Sequence, residues 1–145
     1  MTTAPRPRIP LKPGFFTVPE DPNEPPKFLC TRCEACGEHF FPRREICAKC
    51  LSEKTAHVEL DGRGTLYSYT FVHIPLFGST NIEHVDGYGV GQVDLPEGPR
   101  LQMPLAGKQG DFKVGQQMRA ELDKLREEGA SDIVIARFRP VEAGR

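Results

Sequence analysis

The stretch Cys33 to Cys50, CEACGEHFFPRREICAKC, carries two Cys-x-x-Cys pairs, Cys33/Cys36 and Cys47/Cys50, separated by ten residues. That spacing lets two short knuckles close on one tetrahedral metal ion, because each two-residue spacer allows the backbone to turn both sulfurs inward. Gly37, directly after Cys36, supplies the permissive backbone that such a turn needs. The direct reading is a four-thiolate Zn²⁺ site made of Cys33, Cys36, Cys47 and Cys50. Structural zinc sites fill all four positions with protein ligands, whereas a catalytic zinc keeps one open for water or substrate. The motif therefore points to a metal without pointing to a reaction.

Outward from this stretch, the remaining cysteine is Cys30. It also forms Cys-x-x-Cys with Cys33, so a ligand set shifted by three residues is conceivable. The trailing glycine favours Cys33/Cys36. Cys30 follows Phe28 and Leu29 as if it continued a short apolar strand, and it reads as a buried residue more readily than as a redox or nucleophilic thiol. An odd count of five cysteines, four of them in paired knuckles, favours metal over disulfides. His39 and His57 lie near a complete cysteine set and are not needed as ligands.

The chain of 145 residues has a formal charge of −1, so it is no electrostatic magnet for nucleic acid. No apolar run approaches the ~20 residues of a membrane span. The opening MTTAPRPRIP has no apolar core of a signal peptide, and the expected location is cytoplasmic. Residues 1 to 27 hold Pro5, Pro7, Pro10, Pro13, Pro19, Pro22, Pro25 and Pro26, a density at which neither helix nor central strand propagates. An extended arm is expected there. Phe15 and Phe16 would hook it onto the protein's own body or onto another subunit.

Beyond the knuckles the pattern is β-type. His57 to Leu60 leads into the turn Asp61-Gly62-Arg63-Gly64, and Thr65 to Ile74, TLYSYTFVHI, reads as one long strand. Its alternation puts Tyr67, Tyr69, Phe71 and His73 on one face. Pro75 to Gly87 reads as a thirteen-residue loop, a length seldom kept without use. Tyr88 to Leu95, Arg100 to Leu105, Gln117 to Leu122 and Asp132 to Phe138 read as further strands. Gly89 and Gly91 in the first of these mark a bulge, a barrel bend or a close backbone approach. AELDKLREE has helical composition, but Met118, Ala120 and Leu122 alternate opposite DIVIARF across a glycine turn, which favours strand. Four or five such strands predict a small closed barrel in a mainly β chain. The expected order is an arm over 1–27, a zinc ribbon over 28–54 and a barrel over 55–145.

The tyrosine stripe is the device with which a barrel stacks single-stranded bases, but a basic groove does not accompany it, and packing in an interior or interface is the preferred reading. His73 and His84 are candidates as proton carriers, with a structural histidine as the default. Arg43, Arg44 and Lys49 have an electrostatic reason to lie beside four thiolates, whose complex with Zn²⁺ carries a formal −2. The same arginines suit a phosphate, to which guanidinium binds in bidentate fashion.

Taken together, RCEACGEHFFPRREICAKC, VELDGRGTLYSYTFVH, VGQVDLPEGPRLQMPLAG, FKVGQQM and a closing FRP resemble the acyl-CoA-associated family of zinc ribbon plus OB-fold proteins, long labelled domain of unknown function thirty-five. The resemblance runs from about Phe28 to Pro140. It implies a rubredoxin-like zinc ribbon followed by an OB-fold. It also implies an auxiliary subunit partnered with a thiolase-superfamily protein, either a thiolase or an aldolase, with an acyl-CoA held at or near the subunit interface. On that reading Phe40, Phe41, Arg43, Arg44, Tyr67, Tyr69 and His73 are the candidate partner or coenzyme A contacts, and no residue of this chain is assigned to catalysis. Neither nucleic acid nor membrane is an expected partner. In the second knuckle Ala48 and Leu51 stand where proline and glycine are more typical of the family. A nucleic-acid-binding ribbon/OB module and a rubredoxin-type iron carrier are the competing readings from other classes.

Overall fold

The structure, a computed structural model, describes residues 6–73 and 87–141. The strands are β1 (Arg8–Pro10), β2 (Lys27–Cys33), β3 (His39–Phe40), β4 (Thr55–Asp61), β5 (Arg63–Val72), β6 (Tyr88–Asp94), β7 (Arg100–Leu105), β8 (Gln117–Glu128) and β9 (Ser131–Pro140). Among the described residues there is no helix, and so none long and apolar enough to cross a membrane. His84 and all but the last residue of the predicted loop lie outside the described residues. The chain divides into two compact units, Met1–Gly62 with Glu121–Ala136, and Arg63–Ala120 with Arg137–Arg145.

In the first unit, β2 is the centre of a three-stranded sheet ordered β3-β2-β4. β4 pairs antiparallel with β2 along its whole length, from Lys27↔Asp61 to Cys33↔Thr55. On β2 Phe28 and Cys30 are buried on one face, and Thr31 and Cys33 on the other. Cys30 is thus a core residue, as its apolar neighbours imply. The proline-rich arm hooks back onto its own chain. β1 runs parallel to β9 from Arg8↔Asp132 to Pro10↔Val134, and Phe16 bridges to Phe28. Phe16 is buried, and the Phe15 ring meets Phe41 edge-on at 5.8 Å. Fully enclosing one such phenyl group is worth about 1.5–3 kcal/mol, which is what an arm with few backbone bonds of its own needs in order to stay docked.

Five strands close a barrel. Neighbouring strands run β9-β7-β6-β5-β8, and β8 pairs again with β9 to complete the circuit. β5–β6, β6–β7 and β5–β8 are antiparallel, while β7 meets β9 in parallel at Leu105↔Phe138. This is the five-stranded OB barrel. Leu66, Val93, Leu101, Leu105, Phe112, Met118 and Phe138 fill its interior. The glycines of β6 mark a close approach: a Cβ on Gly91 would come within 2.8 Å of Leu105 and 2.9 Å of Leu66, and one on Gly89 within 2.9 Å of the Phe112 ring.

The strand expected at AELDKLREE is present, because β8 continues as strand to Glu128 and turns at Gly129, whose φ is 58°. The stripe expected on β5 is broken. A bulge lies between Leu66↔Val93 and Ser68↔Gln92, so the extra residue Tyr67 leaves the alternation. Tyr69 and Phe71 face the same side as their partners Gly91 and Gly89, while Tyr67 does not share it.

Candidate metal centre

β2 delivers Cys33 at its last position, and the turn to β3 returns Cys36 to it. The Gly37 N–H donates to the Cys33 carbonyl at 2.9 Å, with Gly37 in the left-handed region at φ 81°, as the spacing requires. The second knuckle repeats the device. The Leu51 N–H donates to the Cys47 carbonyl at 3.0 Å, and here a leucine holds φ 65°. The two turns bring Cys33, Cys36, Cys47 and Cys50 together, with all four sulfurs within 4.8 Å of one another. Cys33 Sγ to Cys50 Sγ and Cys36 Sγ to Cys47 Sγ are both 3.6 Å.

These separations suit a metal. Tetrahedral Zn–S bonds of ~2.3 Å set the sulfurs about 3.8 Å apart. Backbone N–H groups of Cys36, Lys49 and Cys50 point at Cys33 Sγ and Cys47 Sγ at 3.3 to 3.5 Å, the arrangement that stabilises thiolate. The Cys36 N–H draws the Cys33 thiol down to about 6. At Cys50 the Ser52 N–H acts in the same direction, yet the adjoining Cys33 sulfur and loss of water contact outweigh it and push that thiol up to about 12. Four sulfurs this close ionise together only around a cation. With all four positions taken by sulfur, the ion has no open site for substrate.

Among the other candidates, Phe40 and Phe41 lie between the knuckles. The Phe41 ring is set edge-on to Phe28 at 5.7 Å, and the Arg44 guanidinium lies 5.5 Å from the Phe40 ring centre. The Arg44 N–H donates to the buried Thr31 hydroxyl at 3.1 Å, and Arg43 Nε to the Cys30 carbonyl at 3.4 Å. Arg43 is thus held through its guanidinium and Arg44 at its backbone. Lys49 pairs with Glu38 at 3.4 Å, whereas neither arginine forms an ion pair with a described residue. In the barrel unit Tyr67 and Tyr69 are half exposed, Tyr69 leans on Phe112 at 5.8 Å, and His73 is exposed with its ring 5.2 Å from Phe71.

Sequence reasoning missed Arg100, which stacks on Tyr67 and grips Asp94. The signal was present, since Asp94 and Arg100 are opposite charges bracketing the Pro96–Pro99 turn and so fall opposite each other. It also missed Thr31, whose buried hydroxyl has no signature in a strand pattern.

Fold and site define a zinc ribbon joined to an OB barrel. Residues 24–56 match the family described as ChsH2, rubredoxin-like zinc ribbon domain, and residues 57–123 match ChsH2, C-terminal OB-fold domain. A DUF35 domain-containing scaffold protein of Methanocaldococcus jannaschii is 30% identical over 115 residues, 77% of this chain and 79% of that protein. The benzoylsuccinyl-CoA thiolase subunit BbsA of Thauera aromatica is 30% identical over 115 residues, 79% of this chain and 76% of that protein. A solved structure of an Ltp2–ChsH2(DUF35) aldolase matches with a TM-score of 0.57 at 30% identity, over 79% of this chain and 84% of that one. The chain belongs to the DUF35 family of zinc ribbon plus OB-fold proteins, and its four-cysteine cluster is the ribbon's zinc site.

Proposed function

We propose that the chain is a zinc-containing auxiliary subunit of a thiolase-type or aldolase complex that makes or cleaves a carbon–carbon bond beside a coenzyme A thioester. The observation that carries this reading is the saturated metal centre: four sulfurs occupy the tetrahedron, so the zinc shapes a surface and leaves the chemistry to a partner. The filled barrel interior agrees, because Leu66, Leu105 and Phe112 occupy the space an acyl chain would need. Support from relatives is direct in name, one being a thiolase subunit and another an Ltp2–ChsH2(DUF35) aldolase.

On this reading an acyl-CoA sits at or near the subunit interface of a cytoplasmic complex. Arg43 and Arg44 contact its phosphates or the partner, with Phe40, Phe41, Tyr67, Tyr69 and His73 as further contacts. The ribbon is the unit over 28–54 that organises the first of these, the barrel over 55–145 carries the rest, and the arm over 1–27 braces the ribbon. The test is co-purification of the tagged full chain from its native cells, followed by assay of the recovered complex. A thiolase-type chain in fixed stoichiometry, losing activity when this subunit is withdrawn, is the expected result. A monodisperse monomer that alters no such enzyme overturns the reading.

A further inference from the structure

β4 is the last strand of its sheet. It pairs with β2 without a break from Thr55 to Asp61, and among the described residues no strand pairs with its outer edge. An antiparallel strand turns the N–H and C=O groups of alternate residues away from its neighbour, so β4 presents a row of backbone donors and acceptors along that edge. Proteins commonly blunt such edges with proline, lysine or a bulge. β4, TAHVELD, has none of the three. Its charged groups are His57, Glu59 and Asp61, which repel an added strand only if that strand sets like charge opposite them.

The side chains select the strand that fits. Thr55, His57, Glu59 and Asp61 share one face of β4, and Ala56, Val58 and Leu60 share the other. His57 and Glu59 are exposed, and neither forms an ion pair with a described residue. Thr31 and Leu29, opposite them on β2, bring no charge, while Lys27 stands opposite Asp61.

Laid antiparallel on the free edge with all seven residues overlapping, a second β4 puts Val58 opposite Val58, and the other pairs follow by two-fold symmetry. His57 of each copy then faces Glu59 of the other, Thr55 faces Asp61, and Ala56 faces Leu60. Opposite charges meet twice on one face, and apolar groups meet on the other. A slip of two residues, the smallest that keeps the pleat in phase, sets Glu59 against Glu59 or His57 against His57, and parallel pairing in register does both. Like charges directly opposite each other destabilise a strand pair, so the residues of β4 favour the full overlap.

We propose that the outer edge of β4 is a self-association site, where two copies of the chain join their three-stranded sheets into one six-stranded sheet, with His57 of each paired to Glu59 of the other. Backbone hydrogen bonds attach the strands, as in other cases of strand addition to a sheet edge, and the two His57–Glu59 pairs fix the register. This goes beyond the auxiliary-subunit reading and needs no thiolase-type chain.

The experiment is sedimentation equilibrium of the full-length zinc-loaded chain over a micromolar concentration series, because a contact of two short strands lies at the small end of specific interfaces. Wild type, H57E, E59K and an equimolar mixture of the two variants are compared, with zinc content and thermal unfolding recorded for each. Wild type should form a concentration-dependent dimer. H57E sets carboxylate against carboxylate at both pairs and should raise the dissociation constant about tenfold or more, with E59K also weakened. Mixing the variants sets the introduced glutamate against the introduced lysine and leaves Glu59 of one chain facing His57 of the other, so a heterodimer tighter than either homodimer is expected. Both positions are exposed, so zinc content and unfolding temperature should stay at wild-type values. A wild-type chain that remains monomeric throughout the series overturns the proposal, as does a dimer indifferent to H57E. A mixture no tighter than its components overturns it too, since the two residues would then not face each other. If the free chain stays monomeric while H57E and E59K both weaken its complex with a thiolase-type chain, the edge belongs to that partner; the proposal falls and the functional reading stands.

Discussion

The Arg100 guanidinium lies 3.4 Å from the centre of the Tyr67 ring while both Asp94 carboxylate oxygens accept its hydrogen bonds, at 2.6 and 3.1 Å. Tyr67 follows the buried Leu66 and so falls on the opposite face of β5, while the bulge after it returns Tyr69 and Phe71 to the face of Leu66. The pair is exposed, so its worth is modest and its electrostatic part is screened by salt. Y67A and R100A should each leave the fold and the zinc intact, with a favourable coupling between them in a double-mutant cycle. D94N should weaken that coupling by freeing the guanidinium. Strict additivity of the two single changes in denaturant unfolding would show that the stacking contributes nothing.

Two glycines of the barrel unit separate a backbone clash from a side-chain one. A Cβ on Gly64 would stand 2.4 Å from the Asp94 carbonyl oxygen and 2.7 Å from a Val93 methyl. One on Gly91 meets only leucine methyl groups, at 2.8 to 3.0 Å. Side-chain ends rotate away, whereas a paired strand cannot withdraw its carbonyl without losing its ladder. G91A should cost about 1–3 kcal/mol, the usual range for overpacking, and G64A more than that. Urea unfolding of both variants checks the order, and the reverse ranking is the outcome that contradicts this account.

These contrasts mark what the residues disclosed and what they concealed. The ligand set, the left-handed turn at Gly37, the arm and the succession of barrel strands follow from local chemistry: cysteine spacing, glycine, proline density and period-two alternation. The bulge at Tyr67 does not, since an inserted residue looks in sequence like unbroken alternation of apolar groups. The tail of β8, DKLREE, has helical composition, and only pairing within the β8–β9 hairpin makes it a strand. β4 shows the same limit, because its alternation announces a strand without saying that β2 is its neighbour. At Leu51 the sequence showed a departure from the usual glycine but gave no sign that the turn would keep its left-handed geometry regardless.

The arm is held by a few large contacts, which makes its removal measurable. Phe16 is buried against the bridge to Phe28, and Leu29 donates its N–H to the Phe15 carbonyl at 2.9 Å. F16A should cost about 3 kcal/mol, as for other buried phenyl groups. It should also raise hydrogen exchange at the Leu29 amide. R6A removes a 2.7 Å bond to Asp132 and contacts to the Gly129 and Ser131 carbonyls at an exposed end of the arm, so its effect should be small and salt-dependent. Equal effects of the two would mean that the arm is pinned by charge.

Metal removal should melt the ribbon. Cys47 is fully buried, and its sulfur accepts two backbone N–H bonds, so C47S should lose zinc and the protection of β2 and β4 amides. Protons compete with zinc for thiolate, so the metal should be retained at neutral pH and released on acidification. Without metal the sign is the same for Cys33. Its thiol is lowered from 9.0 to about 6, so its contribution is present above 9 and lost as the pH falls through about 6. Zinc content and unfolding temperature across a pH series follow both effects. A metal that stays bound well below pH 5 would contradict thiolate-only ligation.

Arg43 and Arg44 are the residues whose purpose the fold of the ribbon does least to explain. Arg43 donates its guanidinium Nε to the Cys30 carbonyl, Arg44 is held at its backbone by Thr31 with its guanidinium near the Phe40 ring, and no described carboxylate pairs with either. Balancing the −2 charge of the zinc tetrathiolate is one use for them, and binding a coenzyme A phosphate is another. The double change R43A/R44A separates the two uses. If the arginines serve phosphate, acyl-CoA affinity of the assembled complex should fall several-fold, more steeply at low salt, while zinc content is unchanged. If they serve the metal, zinc should be lost more readily to a chelator and acyl-CoA affinity should hold. Lysine at both positions sharpens the result, because it keeps the charge but not the bidentate geometry, and it should rescue a role in charge balance more fully than a role in phosphate binding.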